Sequence, residues 1–322
     1  MDLTGYPAPL TAFAEAVGPS GPVVCVGGRT QWDVGGPGDP AARHVSAPAG
    51  VVAHEPGEMI VRVRAGTTLA ELADATAVGG QYVAVEADRP EVATVGGVLA
   101  CGRSGLRRLG WGPVRDAVLE VTAVDSTGTL IRAGAPLVKN VTGFDLCRLL
   151  VGSVGTLAFI AEVVLRCRPL PETERWWRAE GADPFGLFGS LYRPVGVLWD
   201  GTSTWVGLSG YRADVDSQAA AVLGAGFTPV DGPPTAPGPL RRSLAPAELR
   251  SVPGLAGGGR WLAEVGVGLV HCDPDAGAGL PAGRPSPVVI DLHRSVKARF
   301  DPDGRLNPGR SPLGADALEP AP

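Results

Sequence analysis

This chain of 322 residues has few lysines, no clustered cysteines and no long apolar run. Its five cysteines form no Cys-x-x-Cys pair and its four histidines have no metal-ligand spacing, so we expect reduced thiols and neither an iron–sulfur nor a zinc site. Only Lys139 and Lys297 are lysines and the net charge is −5, which argues against a nucleic-acid partner. No apolar run reaches the roughly 18 residues of a membrane span, so none is expected.

Glycine and proline are abundant instead, with 47 and 31 residues. That content approaches the level of low-complexity chains. The chain is nevertheless 44% hydrophobic and lacks a Gly-X-Y repeat, which favours a globular protein with many tight turns. The length predicts two domains. Prolines become more frequent after Cys167, which indicates a boundary near residues 168–175.

Helical and strand patterns alternate in both halves, which predicts a mixed α/β or α+β class. Thr67 or Thr68 is the expected cap of a helix that ends at Gly79-Gly80. Strands are predicted at 23–28, 59–65, 82–85, 117–124, 129–132, 156–167, 195–199, 204–208 and 262–270, and further helices at 213–223 and 291–300.

The segment VGGRTQWDVGG, Val26 to Gly36, places two glycines directly after a predicted strand. Backbone N–H groups can converge there into an anion-binding nest, and Thr30 adds a hydroxyl donor. The segment is neither a Rossmann fingerprint nor a Walker loop. An ordinary turn remains the alternative.

Two further glycine-rich segments are candidates for ligand binding. In Ala93–Asp116, many glycines among apolar residues indicate a flat ligand lying against bare backbone, with a ligand-free loop as the alternative. In Val138–Leu165, the sequence GSVGT leads into an apolar strand, and no GxSxG motif supports a serine nucleophile. FDPDGRLNPGR, Phe300 to Arg310, predicts a turn after a helix. His271 ends a strand, where a structural role and a catalytic role are both open.

Taken in this order and at these separations, the segments resemble flavin oxidoreductases of the vanillyl-alcohol-oxidase type, which have a PCMH-type FAD-binding domain. The resemblance is strongest to the FAD-binding E subunits of bacterial glycolate oxidases, and it covers residues 20–172 well and 290–310 briefly. It implies an α+β fold with two subdomains that hold FAD. The implied domains are an FAD-binding domain at 1–170, a reduced α/β cap or substrate domain at 171–290, a C-terminal segment at 291–310 that returns to the flavin, and a tail at 311–322.

The resemblance also implies roles for individual residues. Arg29 and Thr30 stand where many relatives have a histidine that tethers the flavin, so we expect non-covalent FAD. The implied cofactor-binding residues are Gly27, Gly28, Arg29 and Thr30 at the pyrophosphate, Thr94, Gly96, Gly97, Gly102, Ser104 and Gly105 at the ribityl chain and isoalloxazine, Gly155, Thr156 and Ile160 at the ADP or ribityl part, and Asn307 at the flavin.

The implied function is that of an FAD-binding subunit in a glycolate or other 2-hydroxy-acid dehydrogenase. A hydride from the substrate would reach the flavin, and electrons would pass to a separate iron–sulfur subunit beside a second, larger FAD subunit. His271 is the candidate base, and Arg108 the candidate clamp for the substrate carboxylate, with Arg103 and Arg260 as other candidates. The alternatives are a self-sufficient FAD-dependent oxidoreductase of the same fold and a non-catalytic scaffold subunit. The expected location is the cytoplasm, with peripheral contact to an inner membrane through the complex left open.

Overall fold

The computed structural model describes residues 5–135, 145–283 and 285–314. The helices are α1 Ala8–Val17, α2 Leu69–Ala77, α3 Val95–Cys101, α4 Arg108–Trp111, α5 Leu146–Leu150, α6 Pro184–Ser190, α7 Arg212–Gly224, α8 Val252–Leu255, α9 Pro274–Gly279 and α10 Pro287–Phe300, with 3₁₀ turns at Val114–Ala117 and Pro246–Ser251. The strands are β1 Val23–Cys25, β2 Arg43–Val45, β3 Val51–Glu55, β4 Ile60–Arg64, β5 Gln81–Val83, β6 Val118–Val124, β7 Leu130–Gly134, β8 Phe159–Pro169, β9 Thr173–Glu180, β10 Gly196–Trp199, β11 Ser203–Gly210, β12 Thr228–Val230, β13 Leu240–Ser243, β14 Trp261–Glu264 and β15 Leu269–Cys272.

The chain divides into two compact units. The first unit contains Met1–Gly105, Pro113–Pro169 and Pro285–Pro322, and the second contains Leu106–Gly112 and Leu170–Arg284. The short segment Leu106–Gly112 lies within the predicted FAD-binding domain along the sequence, yet it packs within the second unit. Among the described residues, no helix is long and apolar enough to cross a membrane.

The first unit is built on a sheet in the order β3-β4-β8-β6-β7, with β5 pairing to β8. Strand β8 is central because its run of apolar residues is buried on both faces. Strands β6 and β7 correspond to the predicted strands at 117–124 and 129–132, and they form a hairpin. The Asp125 carboxylate stabilises its turn by accepting hydrogen bonds from the N–H groups of Thr127 and Thr129. Strands β1 and β2 form a separate parallel pair.

Helix α2 begins at the threonine pair that predicted it. Thr68 is the N-cap and forms a capping box with Glu71, so two free backbone donors of the first turn are satisfied reciprocally. Helix α3 is capped by Thr94, whose hydroxyl accepts a hydrogen bond from the Gly97 N–H, and it ends at Gly102 in the left-handed conformation.

The second unit is a seven-stranded sheet in the order β12-β9-β11-β10-β14-β15-β13. The predicted helix at 213–223 is confirmed as α7, and α10 begins a turn earlier than predicted. The single strand predicted at 262–270 is wrong. The chain there forms an antiparallel hairpin of β14 and β15, because Gly266 and Gly268 adopt positive φ angles and reverse it.

Candidate functional site

The loop after β1 is the first wall of the site. It lies so close to the segment before α3 that a Cβ atom at Gly27 would overlap the Thr94 hydroxyl, and one at Gly28 would overlap the Val92 carbonyl oxygen. Glycine is therefore required at both positions for the two loops to touch. The sequence analysis interpreted these glycines differently, as the residues that let backbone N–H groups converge into an anion-binding nest.

The same loop offers consecutive hydrogen-bond donors. Within the described part of the chain, no group accepts a hydrogen bond from the backbone N–H of Gly27, Gly28, Arg29 or Thr30. Arg29 adopts a left-handed conformation with φ of 54°, an uncommon state for a residue with a side chain. A run of N–H groups around a left-handed residue is the arrangement of anion-binding nests. The predicted nest is thus compatible with the geometry of this loop.

Most of the predicted glycines in and after α3 lie against other protein atoms, which occupy the space that a side chain would need. A Cβ at Gly96 would lie 2.7 Å from the Ala65 side chain, and one at Gly105 would overlap the Glu86 carboxylate. A Cβ at Gly102 would lie 2.7 Å from the backbone of Gly152. Gly97 differs because it is exposed and a Cβ there would meet only the Thr94 hydroxyl, at 3.0 Å. Among these glycines, Gly97 is the one at which an added side chain would extend into open space.

Asn307 ties the second wall, the 153–155 loop, to β1. Its carboxamide oxygen accepts a hydrogen bond from the Cys25 N–H at 3.0 Å, and its amide nitrogen donates to the Val154 carbonyl oxygen at 2.6 Å. Asn307 also adopts a left-handed conformation, and a Cβ at Gly155 would press on its side chain. Asn307 therefore holds two chain segments together, and its predicted contact with the flavin stays a prediction.

The remaining predicted cofactor residues of the first unit are buried. The Ser104 hydroxyl accepts a hydrogen bond from the Val114 N–H, and the Thr156 hydroxyl donates to the Ser153 carbonyl oxygen. Ile160 belongs to the apolar core around β8. The observed contacts of these three side chains are with protein groups, and their predicted contacts with the cofactor stay predictions. The part of the Val138–Leu165 segment before Asp145 lies outside the described residues.

The C-terminal segment after α10, which sequence analysis predicted as a turn, is a buried clasp. Arg305 is 4% exposed and donates hydrogen bonds to the carbonyl oxygens of Val17, Ser20, Gly21 and Ser126. Lys297 donates to the Thr156 carbonyl oxygen and to the Asp301 carboxylate, and burial lowers its pKa. The clasp fixes Asn307 and the residues after it against the first wall.

Three side chains that the sequence analysis did not identify, Gln31, Trp32 and Arg310, lie beside the loop at 27–30, called the donor loop below. The Trp32 ring has the guanidinium carbon of Arg310 at 4.2 Å and that of Arg29 at 5.0 Å from its centroid. The buried Oε1 of Gln31 and the buried Nε and Nη2 of Arg310 have no hydrogen-bond partner among the described residues. Only folding brings Arg310 to Trp32 across the whole first unit, so no local pattern could have paired them.

A cavity of about 420 Å³ lies next to Arg310 within the first unit. That volume is in the range of small-molecule sites. Its described lining residues include no aspartate or glutamate. They are Arg148, Leu149, Val151, Gly152, Ser153, Thr156, Leu157, Ile290, Leu292, His293, Arg294, Val296, Lys297 and 310–313.

These features suit the polar part of FAD. Free backbone donors and an arginine with unpartnered N–H groups match the chemistry of a pyrophosphate, which accepts hydrogen bonds and carries negative charge. Buried polar atoms normally have partners, so the orphaned atoms of Gln31 and Arg310 fit a ligand at this place. The residues of the first unit therefore fit the cofactor.

The predicted catalytic residues both belong to the second unit. His271 on β15 is 3% exposed, and its Nε2 lies 2.7 Å from Oε1 of Glu264 on β14. The other carboxylate oxygen of Glu264 is buried without a partner among the described residues. Arg108 is half-buried on α4. The arrangement shows a buried histidine–carboxylate pair, while the catalytic roles of His271 and Arg108 stay predictions.

Comparisons with known proteins agree with the fit of the site. Residues 11–134 match the family described as FAD binding domain. The glycolate oxidase subunit GlcE of Escherichia coli K12 is 34% identical over 167 residues, which are 52% of this chain and 48% of that protein. The D-lactate dehydrogenase of Archaeoglobus fulgidus is 41% identical over 105 residues, or 33% of this chain and 24% of that protein.

A further relative is the glycolate oxidase subunit GlcD of Bacillus subtilis, 34% identical over 113 residues, or 35% of this chain and 24% of that protein. The chain thus spans about half or less of the length of these relatives. A solved structure of alkyldihydroxyacetonephosphate synthase covers 93% of this chain and 73% of its own, with a TM-score of 0.66 at 14% identity. This likeness confirms the predicted α+β PCMH-type fold.

Proposed function

Because residues 11–134 form an FAD binding domain, we propose that the chain is an FAD-binding subunit of a 2-hydroxy-acid oxidoreductase of the glycolate oxidase type. It would act in a complex with a larger FAD subunit and an iron–sulfur subunit. The observation that carries the proposal is the row of free backbone donors at Gly27–Thr30, which lies inside the residues that match the family. The cofactor is FAD, bound without a covalent link.

FAD, when bound, supplies an acceptor for the hydride of an alcohol or hydroxy acid. The protein's part is to bind and orient it. The donor loop at 27–30 would hold the pyrophosphate through backbone N–H groups, and Gly97 would leave space for the cofactor beside α3. Asn307 and the buried clasp keep the two walls at a fixed separation, which positions a bound ligand between them.

The subunit assignment is supported by the similarity to GlcE and GlcD, both of which are named as subunits of glycolate oxidase. The hydroxy-acid substrate class is supported by the same relatives together with the D-lactate dehydrogenase. The scattered cysteines of the sequence offer no ligand set for a cluster, which agrees with an iron–sulfur centre on another chain.

The cofactor part is tested by Gly97→Val, with Gly57→Val as the matched control. Gly57 is an exposed turn residue with open space around it and no left-handed φ, so the same side chain is harmless there. We expect Gly97→Val to lose most of its flavin absorption after purification with FAD while its unfolding temperature stays near that of the control. Unchanged flavin content would remove Gly97 from the cofactor site.

The subunit part is tested by turnover of glycolate and D-lactate with an artificial electron acceptor. The chain is assayed alone and after co-expression with a larger FAD subunit and an iron–sulfur subunit. We expect turnover only with the partners. Turnover by the chain alone would favour the self-sufficient oxidoreductase. A wild-type chain without flavin, even after reconstitution with FAD, would favour the scaffold.

A further inference from the structure

One edge of the buried Arg310 guanidinium, formed by Nε and Nη2, has no hydrogen-bond partner among the described residues. The side chain is 8% exposed and donates one hydrogen bond, from Nη1 to the Val34 carbonyl oxygen at 3.2 Å. Nε and Nη2 are buried and have no partner among the described residues. The N–H groups of Nε and Nη2 point the same way in arginine, so this edge is a two-pronged donor that matches two oxygens of a phosphate or carboxylate.

Other arginines among the described residues do not share this feature. In the half-buried Arg64 and Arg242, Nε is the only buried nitrogen without a partner, and the buried Arg305 uses Nε, Nη1 and Nη2 on backbone carbonyl oxygens. Burying an unpaired guanidinium donor costs free energy, because the charged group gives up water without a replacement. The free edge of Arg310 therefore needs an explanation that Arg305 does not.

Positive charge accumulates around this edge. The guanidinium carbons of Arg29 and Arg310 lie 5.0 and 4.2 Å from the centroid of the Trp32 ring. Burial lowers the pKa of Arg310, and the nearby carboxylate of Asp33 opposes that shift. The 420 Å³ cavity that Arg310 lines has no carboxylate among its described lining residues. An anion bound at the free edge would offset the desolvation of the guanidinium.

Glycine keeps the edge clear on one side. Gly38 has φ of 72°, and a Cβ atom there would lie 3.1 Å from Nε of Arg310 and 3.7 Å from Nη2. A side chain at this position would press against the free donors. The loop from 27 to 38 thus supplies the backbone donors, the ring under Arg310 and the bare backbone beside its edge.

We propose that the Nε–Nη2 edge of Arg310 binds the pyrophosphate of FAD and supplies the positive charge that the neutral donors of the 27–30 loop lack. The inference rests on the FAD-binding part of the proposed function. A diphosphate is favoured over a substrate carboxylate because Arg310 lies against Trp32, which follows the 27–30 loop after one residue, so the charged edge and the backbone donors are neighbours. A pyrophosphate carries about two negative charges, and backbone dipoles hold it without neutralising it.

The test compares Arg310→Met and Arg310→Lys with Arg299→Met in the full chain. Arg299 is an exposed arginine of α10 that does not line the cavity, and it serves as the matched control. Dissociation constants for FAD and for ADP, which has the diphosphate but no flavin, are measured by titration. Trp32 is the only tryptophan in the described part of the first unit, since the other six lie in the second unit. A change in its fluorescence on ADP binding, absent in Trp32→Phe, locates the ligand.

We expect Arg310→Met to raise both dissociation constants about tenfold to a hundredfold, which is the loss of charge-assisted hydrogen bonds, and Arg310→Lys to raise them less. The ligand-free variant should unfold within about 3 °C of the wild type, because the change removes one protein hydrogen bond and an unpaired charge. Arg299→Met should change neither quantity.

Several results would overturn the inference. An unchanged FAD constant in Arg310→Met, or a changed FAD constant with an unchanged ADP constant, removes the pyrophosphate from this edge. Weakened binding of glycolate alone assigns the edge to a carboxylate instead. Loss of the fold in Arg310→Met makes its role structural. A wild-type chain that binds FAD but oxidises no hydroxy acid even with both partner subunits leaves the inference intact and refutes the proposed function.

Discussion

Replacing Arg305 by methionine tests whether the C-terminal clasp stabilises the first unit. The change keeps a long apolar stem and removes the donors to the carbonyl oxygens of Val17, Ser20, Gly21 and Ser126, at 2.8–3.0 Å. These oxygens lie on α1, on the segment before β1 and on the β6–β7 turn, so one side chain connects three parts of the unit.

The magnitude follows from the burial of the group. Hydrogen bonds to a charged donor contribute about 1.5–3 kcal/mol each and are not additive, and the loss of one partner from a buried ionic arrangement costs about 3–5 kcal/mol. We expect a loss of about 3–5 kcal/mol in the free energy of unfolding. For a unit of this size the unfolding temperature would fall by about 6–20 °C.

The assay must separate the two units. Tryptophan fluorescence reports mainly on the second unit, so unfolding of the first is followed by amide hydrogen exchange in α1 and β1. Arg299→Met is the control, because Arg299 is exposed near the end of α10. If Arg305→Met and Arg299→Met show equal protection in α1, Arg305 does not hold the clasp and the reasoning fails.

Three further substitutions have expected outcomes that follow from the contacts in the structure. Gly28→Ala would force the donor loop away from the Val92 carbonyl oxygen, and we expect FAD binding to be lost in a flavin titration while the second unit stays folded. Thr68→Ala removes the α2 capping box and should cost about 1 kcal/mol in a denaturant titration, and no change would contradict the cap. Glu264→Leu leaves His271 buried without its hydrogen-bond partner and should cost about 1–3 kcal/mol, whereas replacing both by leucine should recover most of that loss in the same titration.

Local signals explain what the sequence could predict. The run of apolar residues identified β8, and the threonine pair identified the start of α2, because both features act through neighbours in the chain. The glycines of the 27–30 loop predicted an anion-binding nest. They did not reveal the close approach of the Val92 backbone, since that contact depends on the position of a distant segment.

Two errors have a physical origin in turns and in long-range contacts. The 262–270 strand was predicted as continuous because its residues are apolar, although Gly266 and Gly268 permit the reversal that makes a hairpin. The ring of Trp32 and the edge of Arg310 are almost the whole chain apart, and only the clasp brings them together. The final arginine of FDPDGRLNPGR was visible as a charge, but its partner was not.

The segment Leu106–Gly112 restricts how this chain could be divided or recombined. It leaves the first unit and packs within the second, where Leu106 belongs to the cluster around Trp176 and Val195, and the Gly110 N–H donates to the Val195 carbonyl oxygen. A fragment cut at 170 and 284 would lack this segment and expose the apolar surface it covers. Exchange of the second unit between homologous genes would therefore need both segments to be replaced together, with a crossover at each of their four ends, so the two units are expected to diverge together rather than to be shuffled as independent modules.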